Sequence, residues 1–435
     1  MQIHHLIRRS VICCVLVSSQ LFIIPALFAA SSDTEKLKIL STFLNQLETK
    51  HPLFKVGTAE IEASKARALA ASQPLYNPEI ELDSERVGFN NQDIDSVTVG
   101  VNQTIDWHDK RSARENIAVH GQHITQFEQQ NIRQQLIAGV FSALADYQIQ
   151  REVIQAHSKR LSLAGQVLTQ ATRLYKAGDI SKLDLEQFRL SKTQTELVLN
   201  QAKTTQATKN QTLSALAGEV RNVWPTLPYA PPNLQPTTLD YEKLLANLPA
   251  LKAETTRVAK ARSMMRLRVR EQKPDPTIGL RAGSEESDKI IGLTLSIPLN
   301  IRNNYRAEVD EARANIRRAE SALQNSRHQL LTQLKSAAQS YHLTYSGWKS
   351  WQNIAGKSLQ QQRHLLMRLW KAGELSTSDY LLQLNQIKAA ELNQIVLKGN
   401  VWKAWIHWLA TSNQFKQWLN ASLRAQAQIS NRNYS

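Results

Sequence analysis

A short segment of the sequence occurs twice, and this duplication constrains the fold more than any other feature. Residues 175–185 read YKAGDISKLDL and residues 370–380 read WKAGELSTSDY, an offset of 195 residues. In each copy a glycine interrupts a helical pattern, an acidic residue follows, and a serine precedes the next helical run. This order is typical of one helix that ends and another that begins. The sequence therefore predicts two equivalent helical hairpins in a duplicated chain.

The positions of the prolines permit very long helices before each repeated segment. No proline lies between Pro78 and Pro225, and none follows Pro298. Because proline interrupts helices, these stretches are compatible with uninterrupted ones. A helical pattern runs from about residue 112 to 176 and from about 305 to 371, and at ~1.5 Å per residue each helix would extend roughly 95 Å. Shorter helices are predicted after the repeated segments, from 182 to about 217 and from 376 to about 410.

Two pairs of short segments have the alternating pattern of β-strands. The first pair, 79–86 and 96–105, flanks the loop GFNNQDID, and the second pair, 277–282 and 289–299, flanks the loop GSEESD. An open sheet edge is not stable against lipid, so four strands that span a membrane require further copies of the chain. Three copies would supply twelve strands, although the pattern alone does not fix the number.

The first 30 residues have the features of a secretory signal peptide, in which Arg8 and Arg9 precede an apolar run that ends in small residues near Ala30. Both cysteines, Cys13 and Cys14, lie within it, so no thiol chemistry is expected in the mature chain. The formal net charge is +16, and it is +14 without residues 1–30, which hold two basic residues and no acid. An exported chain does not meet nucleic acid, so this charge is expected to face anionic lipid or anionic cargo.

The expected organisation is two structural repeats joined by a linker that is rich in proline. The ranges are a signal peptide at 1–30, a first repeat at 31–220 with its strand pair at about 79–105 and its tip at 176–184, a linker at 221–240, a second repeat at 241–410 with its strand pair at about 277–299 and its tip at 371–379, and a polar C-terminal tail at 411–435.

The strand pairs and the two tips resemble the TolC-type outer-membrane efflux channel family. The resemblance rests on NPEIELDSERVG with VGVNQTIDWHDKRSAR, on DPTIGLRAG with IGLTLSIPLNIRNN, and on the two repeated segments. It implies a mainly α fold with a small β part, in which three copies form a 12-stranded outer-membrane β-barrel and long antiparallel helical hairpins form a periplasmic α-barrel. The segments DPTIGLR and LSIPLNIRNN are most similar to the heavy-metal resistance channels, the CzcC-like group.

The resemblance also implies a function, a location and partners. The chain is expected in the outer membrane of a Gram-negative bacterium, as a homotrimer that receives heavy-metal cations from an inner-membrane RND-type pump through a periplasmic adaptor. Two alternatives stay open: an outer-membrane channel for drug efflux or type I protein secretion, and a soluble periplasmic coiled-coil adaptor or scaffold. An adaptor would have one hairpin and a separate globular β domain, whereas this sequence has two hairpins and two equivalent strand pairs. A conduit requires no cofactor, and no enzymatic activity is expected.

The two tips are expected to dock the adaptor, mostly on the strength of the resemblance. From the residue types alone, the glycines and serines are expected to cap helices, and the acids to complement the positive helix N-termini. Asp184 and Asp379 occupy equivalent positions and are expected either to ring the mouth of an assembled tunnel or to be ordinary solvated acids. The predicted tip residues are Gly178, Asp179, Ser181, Asp184, Gly373, Glu374, Ser376 and Asp379.

Basic residues flank both strand pairs and suggest a collar against anionic lipid. An ordinary solvated helix surface explains the same pattern equally well. The residues of the predicted collar are Lys110, Arg111, Arg114, Arg266, Arg268, Arg270, Lys273, Arg302 and Arg306.

The remaining aromatic and histidine residues do not predict a binding site. The three tryptophans of residues 402–408 recur at every third position and are expected to pack against other helices. Trp107, at the end of a strand, is expected at a membrane interface. His120 and His123 share a helix face, but no third ligand accompanies them at a fixed spacing, so no metal site is predicted.

Overall fold

A computed structural model describes residues 24–89, 92–221, 223–285 and 288–420 of the chain. Most of the predicted signal peptide and most of the predicted polar tail lie outside these residues. The helices are α1 (Ile24–Lys50), α2 (Pro52–Ser72), α3 (Lys110–Ala177), α4 (Lys182–Ala217), α5 (Tyr241–Asn247), α6 (Pro249–Glu271), α7 (Arg306–Lys371) and α8 (Thr377–Ser412). The strands are β1 (Glu79–Phe89), β2 (Gln92–Thr104), β3 (Thr277–Glu285) and β4 (Asp288–Ser296).

The two repeats have the same order of elements. In each repeat a strand pair leads to a helix of 68 or 66 residues, then to a tight turn, then to a helix of 36 residues. The predicted long helices are observed to within two residues at each end. Among the described residues, no helix is long and apolar enough to cross a membrane.

The strands form one antiparallel sheet in the order β1-β2-β3-β4. The loop predicted at 88–95 is shorter than expected, because β1 continues to Phe89 and β2 begins at Gln92. Backbone pairing continues through polar residues here, and Arg86 lies opposite Asp95 with Nε 2.5 Å from Oδ1. Similarly, β3 runs three residues beyond its predicted end. Strand β4 stops at Ser296, before Pro298, since proline has no N–H to donate to a ladder.

The chain divides into two compact units, and each contains segments from both repeats. The first unit comprises Met1–Phe54, Arg133–Tyr241 and Gln333–Ser435, and the second comprises Lys55–Ile132 and Glu242–Thr332. The tips therefore belong to the first unit and the sheet to the second.

Tryptophans dominate the core of the first unit. Trp402, Trp405 and Trp408 are all buried, and the ring centroid of Trp405 is 4.9 Å from that of Tyr341. The prediction that these tryptophans pack against other helices is confirmed. The prediction of a polar tail from residue 411 is wrong for its first ten residues. Helix α8 continues to Ser412, residues 415–420 are helical, and three apolar residues are buried here, namely Phe415, Trp418 and Leu419.

Candidate functional surfaces

One face of the sheet is apolar, and the residues that the structure describes leave it uncovered. Because successive side chains of a strand point to opposite faces, residues in register across the strands form rows on one face. Two rows on this face consist of apolar residues, and the outermost members of the first row, Ile80 and Leu293, are 80% and 82% exposed. We call this surface the apolar sheet face; its rows are Ile80–Val101–Leu280–Leu293 and Leu82–Val99–Ala282–Ile291.

Apart from Ile290, the opposite face of the sheet is mainly polar or lined by glycine. Its register brings Asn102 Nδ2 within 2.8 Å of Glu81 Oε2, and Gly100 lies opposite Arg281. The sheet is therefore amphipathic, with water-compatible groups on one side and a continuous apolar surface on the other. A surface of this kind suits contact with lipid on one side and with water on the other.

Within this chain β1 and β4 each pair with a neighbour on one side only. Their outer N–H and C=O groups therefore have no strand partner among the described residues. Unpaired strand edges of this length form a template for pairing with another strand.

A buried ion pair lies at the base of the sheet. Lys110 Nζ is 3.0 Å from Asp275 Oδ2, and the same carboxylate oxygen accepts a hydrogen bond of 2.7 Å from the hydroxyl of Tyr76. Burial and this hydrogen bond raise the pKa of Tyr76 to about 12. Lys110 is only 7% exposed. Its inclusion in the lipid-facing collar is therefore wrong, because its charge is neutralised inside the protein.

The other predicted collar residues divide into paired and unpaired groups. Arg268 Nη1 lies 2.7 Å from Glu271 Oε2, and Arg270 Nη1 lies 3.1 Å from Asp109 Oδ2. Arg114 is 4.0 Å from Glu271. Five exposed members have no acidic partner within 4.0 Å in the part of the chain that the structure describes, so the collar remains a prediction for them: Arg111, Arg266, Lys273, Arg302 and Arg306.

His120 and His123 lie about one turn apart on α3. Burial lowers the pKa of His120, and the nearby charges of His123 and Arg266 lower it further. Across residues 24–420, leaving aside the short gaps in the description, no group of three or more histidine or acidic side chains could hold a metal ion.

Trp107, predicted at a membrane interface, is exposed beyond the end of β2.

The two tips end their first helices with the same backbone arrangement. The N–H of Gly178 donates to Tyr175 O and the N–H of Asp179 donates to Leu174 O. In the second tip the N–H of Gly373 donates to Trp370 O and that of Glu374 to Leu369 O. The glycines have φ values of 83° and 77°, which an L-residue adopts at a cost. The prediction that these glycines cap helices is confirmed.

The serines of the tips begin the second helices, as predicted. The N–H of Asp184 donates to Ser181 Oγ over 3.1 Å, and the Asp184 carboxylate accepts hydrogen bonds from the hydroxyl and N–H of Ser181. Ser376 and Asp379 repeat the first of these bonds at 3.1 Å. This reciprocal arrangement satisfies N–H groups that a helix start leaves free.

The two tips contact each other through residues that the sequence did not identify. Phe188 of α4 packs against Trp370 and Tyr380, with ring centroids 5.2 Å and 6.3 Å away. Hydrogen bonds from Ser181 lower the pKa of the Asp184 carboxylate, and the nearby side chain of Thr377 lowers it further. Asp184 is therefore part of the contact between the tips, while a ring of tip acids remains a prediction. In the sequence, the difference between Lys182 of the first tip and Thr377, its equivalent in the second tip, was the only indication that the tips are not interchangeable.

Equivalent residues of the two tips differ in exposure. Trp370 is 5% exposed, whereas its counterpart Tyr175 is 40% exposed. Helix α4 also carries three exposed leucines at intervals of seven residues, which lie along one helix face. We call these the α4 leucine stripe: Leu183, Leu190 and Leu197. The first hairpin thus presents an apolar surface that none of the described residues covers.

The duplicated hairpins, the single amphipathic sheet and the two capped turns define a TolC-like class of fold, and the comparisons with known proteins agree. The family model described as "Outer membrane efflux protein" matches residues 43–219. The predicted resemblance to this class is confirmed, as is the outer-membrane location. Because the matched family consists of efflux proteins, the expectation that the chain is not an enzyme is confirmed too.

The chain is also similar to particular known proteins. The cobalt-zinc-cadmium resistance protein CzcC of Cupriavidus metallidurans is 25% identical over 253 residues, which are 56% of this chain and 59% of that protein. The chain therefore spans less than two thirds of that relative. Among solved structures, VceC of Vibrio cholerae has a TM-score of 0.71 at 14% identity, over 86% of this chain and 95% of its own. CusC has a TM-score of 0.72 at 14% identity, over 86% and 92%.

Proposed function

We propose that this protein is the outer-membrane conduit of a tripartite efflux system that exports heavy-metal cations. The observation that carries the proposal is the amphipathic sheet with two open edges in a chain of TolC-like fold. In this function the chain moves its cargo without chemistry, and an inner-membrane RND-type pump supplies the energy. The pump reaches the conduit through a periplasmic adaptor.

The open surfaces of the single chain support assembly into a homotrimer. Edges β1 and β4 each have free pairing groups, and pairing β4 of one copy with β1 of the next would satisfy both. Three chains then supply twelve strands, with the apolar sheet face toward lipid and the polar face toward a water-filled interior. The α4 leucine stripe and Tyr175 offer an apolar surface to the second hairpin of a neighbouring copy.

The geometry of the tips supports adaptor docking. Both turns have exposed backbone and side chains at Gly178, Asp179, Gly373 and Glu374, and their caps hold the turns in one conformation. Two turns with the same backbone and different side chains would offer an adaptor two related docking surfaces.

The cargo is proposed from the similarity to CzcC, whose name describes cobalt, zinc and cadmium resistance. The alternatives of drug efflux and protein secretion share the same conduit and differ only in the pump. The alternative of a soluble adaptor would require a separate β domain, whereas the four described strands form one sheet with an exposed apolar face.

A deletion strain tests the proposal. Loss of the gene is expected to lower the tolerated concentrations of cobalt, zinc and cadmium salts, and the intact gene is expected to restore them. The control is a gene with Gly178→Pro and Gly373→Pro, which should leave the protein in the outer-membrane fraction but fail to restore resistance. Unchanged metal tolerance together with increased drug sensitivity would replace the metal cargo with drugs. Recovery of the protein only in the soluble periplasmic fraction would contradict the conduit.

A further inference from the structure

A cavity of about 970 Å³ in the first unit is lined by an excess of basic side chains. Helices α3, α7 and α8 form its walls, and Tyr229 of the linker closes one side. Five Lys or Arg residues and two glutamates line it, together with His364. We call it the Arg160 cavity; its charged residues other than His364 are Glu152, Lys159, Arg160, Arg363, Lys388, Glu391 and Lys398.

Both acidic residues of the Arg160 cavity are already paired. Glu152 Oε1 lies 2.8 Å from Lys398 Nζ, and Glu391 Oε1 lies 3.2 Å from Arg363 Nη2. Subtracting these two pairs from the five cations leaves Lys159, Arg160 and Lys388 without a matched carboxylate. The cavity therefore keeps an excess of three positive charges, before any charge on His364.

Arg160 is the most unusual of these residues. It is 9% exposed, and Nη2 donates a hydrogen bond to the carbonyl oxygen of Lys388. Its Nε has no hydrogen-bond partner, and no carboxylate lies within 4.0 Å of its guanidinium in the described part of the chain. A buried and unpaired guanidinium costs free energy, so such groups normally have an anion or several acceptors.

Burial and the positive charge of Arg160 lower the pKa of two neighbouring groups. Burial lowers the pKa of Lys388, and the Arg160 charge lowers it further, against the opposing effect of Glu391. His157, one turn before Arg160 and also buried, has its pKa lowered by burial and then by Arg160. Burial lowers the pKa of Arg160 itself, and the charge of Glu391, which is paired with Arg363, only partly opposes this effect.

The lining also contains apolar side chains. Leu163, Met367, Leu384 and Ile387 lie beside the basic residues. A guanidinium fork recognises carboxylate and phosphate groups with two parallel hydrogen bonds, and a neighbouring ammonium adds charge. The apolar lining suits the carbon skeleton of an organic acid.

We propose that the Arg160 cavity binds a small multivalent oxyanion from solution, of the carboxylate or phosphate class, with Arg160 and Lys388 as its main ligands. The site is independent of the proposed function, since it lies in one compact unit of one chain. Bound anion would neutralise the excess charge and stabilise the packing of α3 against α8.

Calorimetric titration of the full mature protein in detergent micelles tests the site. The probes are succinate and inorganic phosphate, each in a chloride buffer of matched ionic strength, since exposed charges respond to salt alone. Saturable binding of at least one probe at millimolar concentration is expected. Arg160→Met should weaken it by about 10-fold or more, which is typical of losing a charged hydrogen bond in a buried site.

Two other variants keep the test decisive. Arg151→Met removes an exposed arginine from the same helix, outside the cavity, and should bind as the wild type does. Lys388→Met should weaken binding, and it serves if Arg160→Met does not fold. The anion should also raise the thermal midpoint of the wild type and of Arg151→Met, but not that of Arg160→Met or Lys388→Met. The absence of saturable binding of both probes to the wild type would overturn the proposal, as would equal binding by the wild type and both cavity variants.

Discussion

The ammonium group of Lys110 lies 3.0 Å from the carboxylate of Asp275, although the two residues are distant in the sequence. Lys110 is the first residue of α3 and Asp275 stands two positions before β3, so the pair joins the exit of one strand pair to the entry of the next. The ammonium group also donates a hydrogen bond of 2.7 Å to Lys273 O. The contact lies next to the end of the β2–β3 ladder, which unites the two repeats in a single sheet.

Removal of Lys110 should destabilise the protein strongly. In Lys110→Met the Asp275 carboxylate stays buried beside Tyr76 without its cation, and breaking a buried pair in this way costs about 3–5 kcal/mol. The control Arg111→Met removes an exposed charge from the adjacent residue and should change stability by no more than about 0.5 kcal/mol. Thermal unfolding of the two purified variants in detergent compares them, and equal midpoints would show that the pair is not structural.

Alanine should have opposite effects at two glycines of α3 and its following turn. Gly178 has φ 83°, where a side chain costs about 1–2 kcal/mol. Gly165 lies inside α3, where alanine is favoured by about 0.5–1 kcal/mol. An added Cβ meets nothing within 4 Å at either position, so only the backbone conformation differs. Gly178→Ala should therefore lower the thermal midpoint and Gly165→Ala raise it. A decrease of similar size in both variants would refute this explanation.

The first tip should loosen in acid. Hydrogen bonds lower the pKa of Asp184 below 3.8, so its stabilising contribution is complete above that pH and is lost as the pH falls through the lowered value. The hydrogen-exchange protection factors of residues 178–188, corrected for the intrinsic exchange rate at each pH, should therefore decrease in this acidic range in the wild type. Asp184→Asn should exchange faster at neutral pH and respond less to acid, whereas Asp179→Asn, at an exposed position, should behave as the wild type. An acid response that persists in Asp184→Asn would assign it to another group.

Local chemistry made the tips predictable, while contacts distant in sequence made other parts unpredictable. Gly178 and Ser181 act through backbone bonds to residues a few positions away, so their roles follow from the sequence alone. The ends of β1 and β2 could not be predicted in this way. The polar residues Arg86 and Asp95 pair across the hairpin and extend both strands beyond the apolar pattern. The burial of Lys110 depends on Asp275, and no local pattern signals that contact.

The site at Arg160 was hidden for the same reason. On α3 an arginine followed by Leu161 looks like any exposed basic residue of a long helix. Only the packing of α8 against α3 buries its side chain and brings Lys388 to it. The aromatic contact among Phe188, Trp370 and Tyr380 likewise requires both hairpins to be in place.

The register of the sheet predicts how two copies would meet. Val101 of β2 lies opposite Leu280 of β3. By the sequence repeat, Val101 corresponds to Leu293, since each follows a Val/Ile-Gly pair, and Leu280 corresponds to Leu82, since both lie four residues after a proline. If β4 of one copy pairs with β1 of the next in the same register, Leu293 lies opposite Leu82 of the second copy.

Oxidative cross-linking of this pair is the most direct test of the assembled conduit. The mature chain is predicted to lack cysteine, so Leu82→Cys/Leu293→Cys introduces the only thiols. Oxidation in isolated outer membranes should link chains covalently up to a trimer, whereas Leu82→Cys alone and Leu293→Cys alone should give no linked trimer. Chains of the double variant that remain monomeric after oxidation, in protein recovered from the outer membrane, would contradict the closed trimeric sheet on which the proposed function depends.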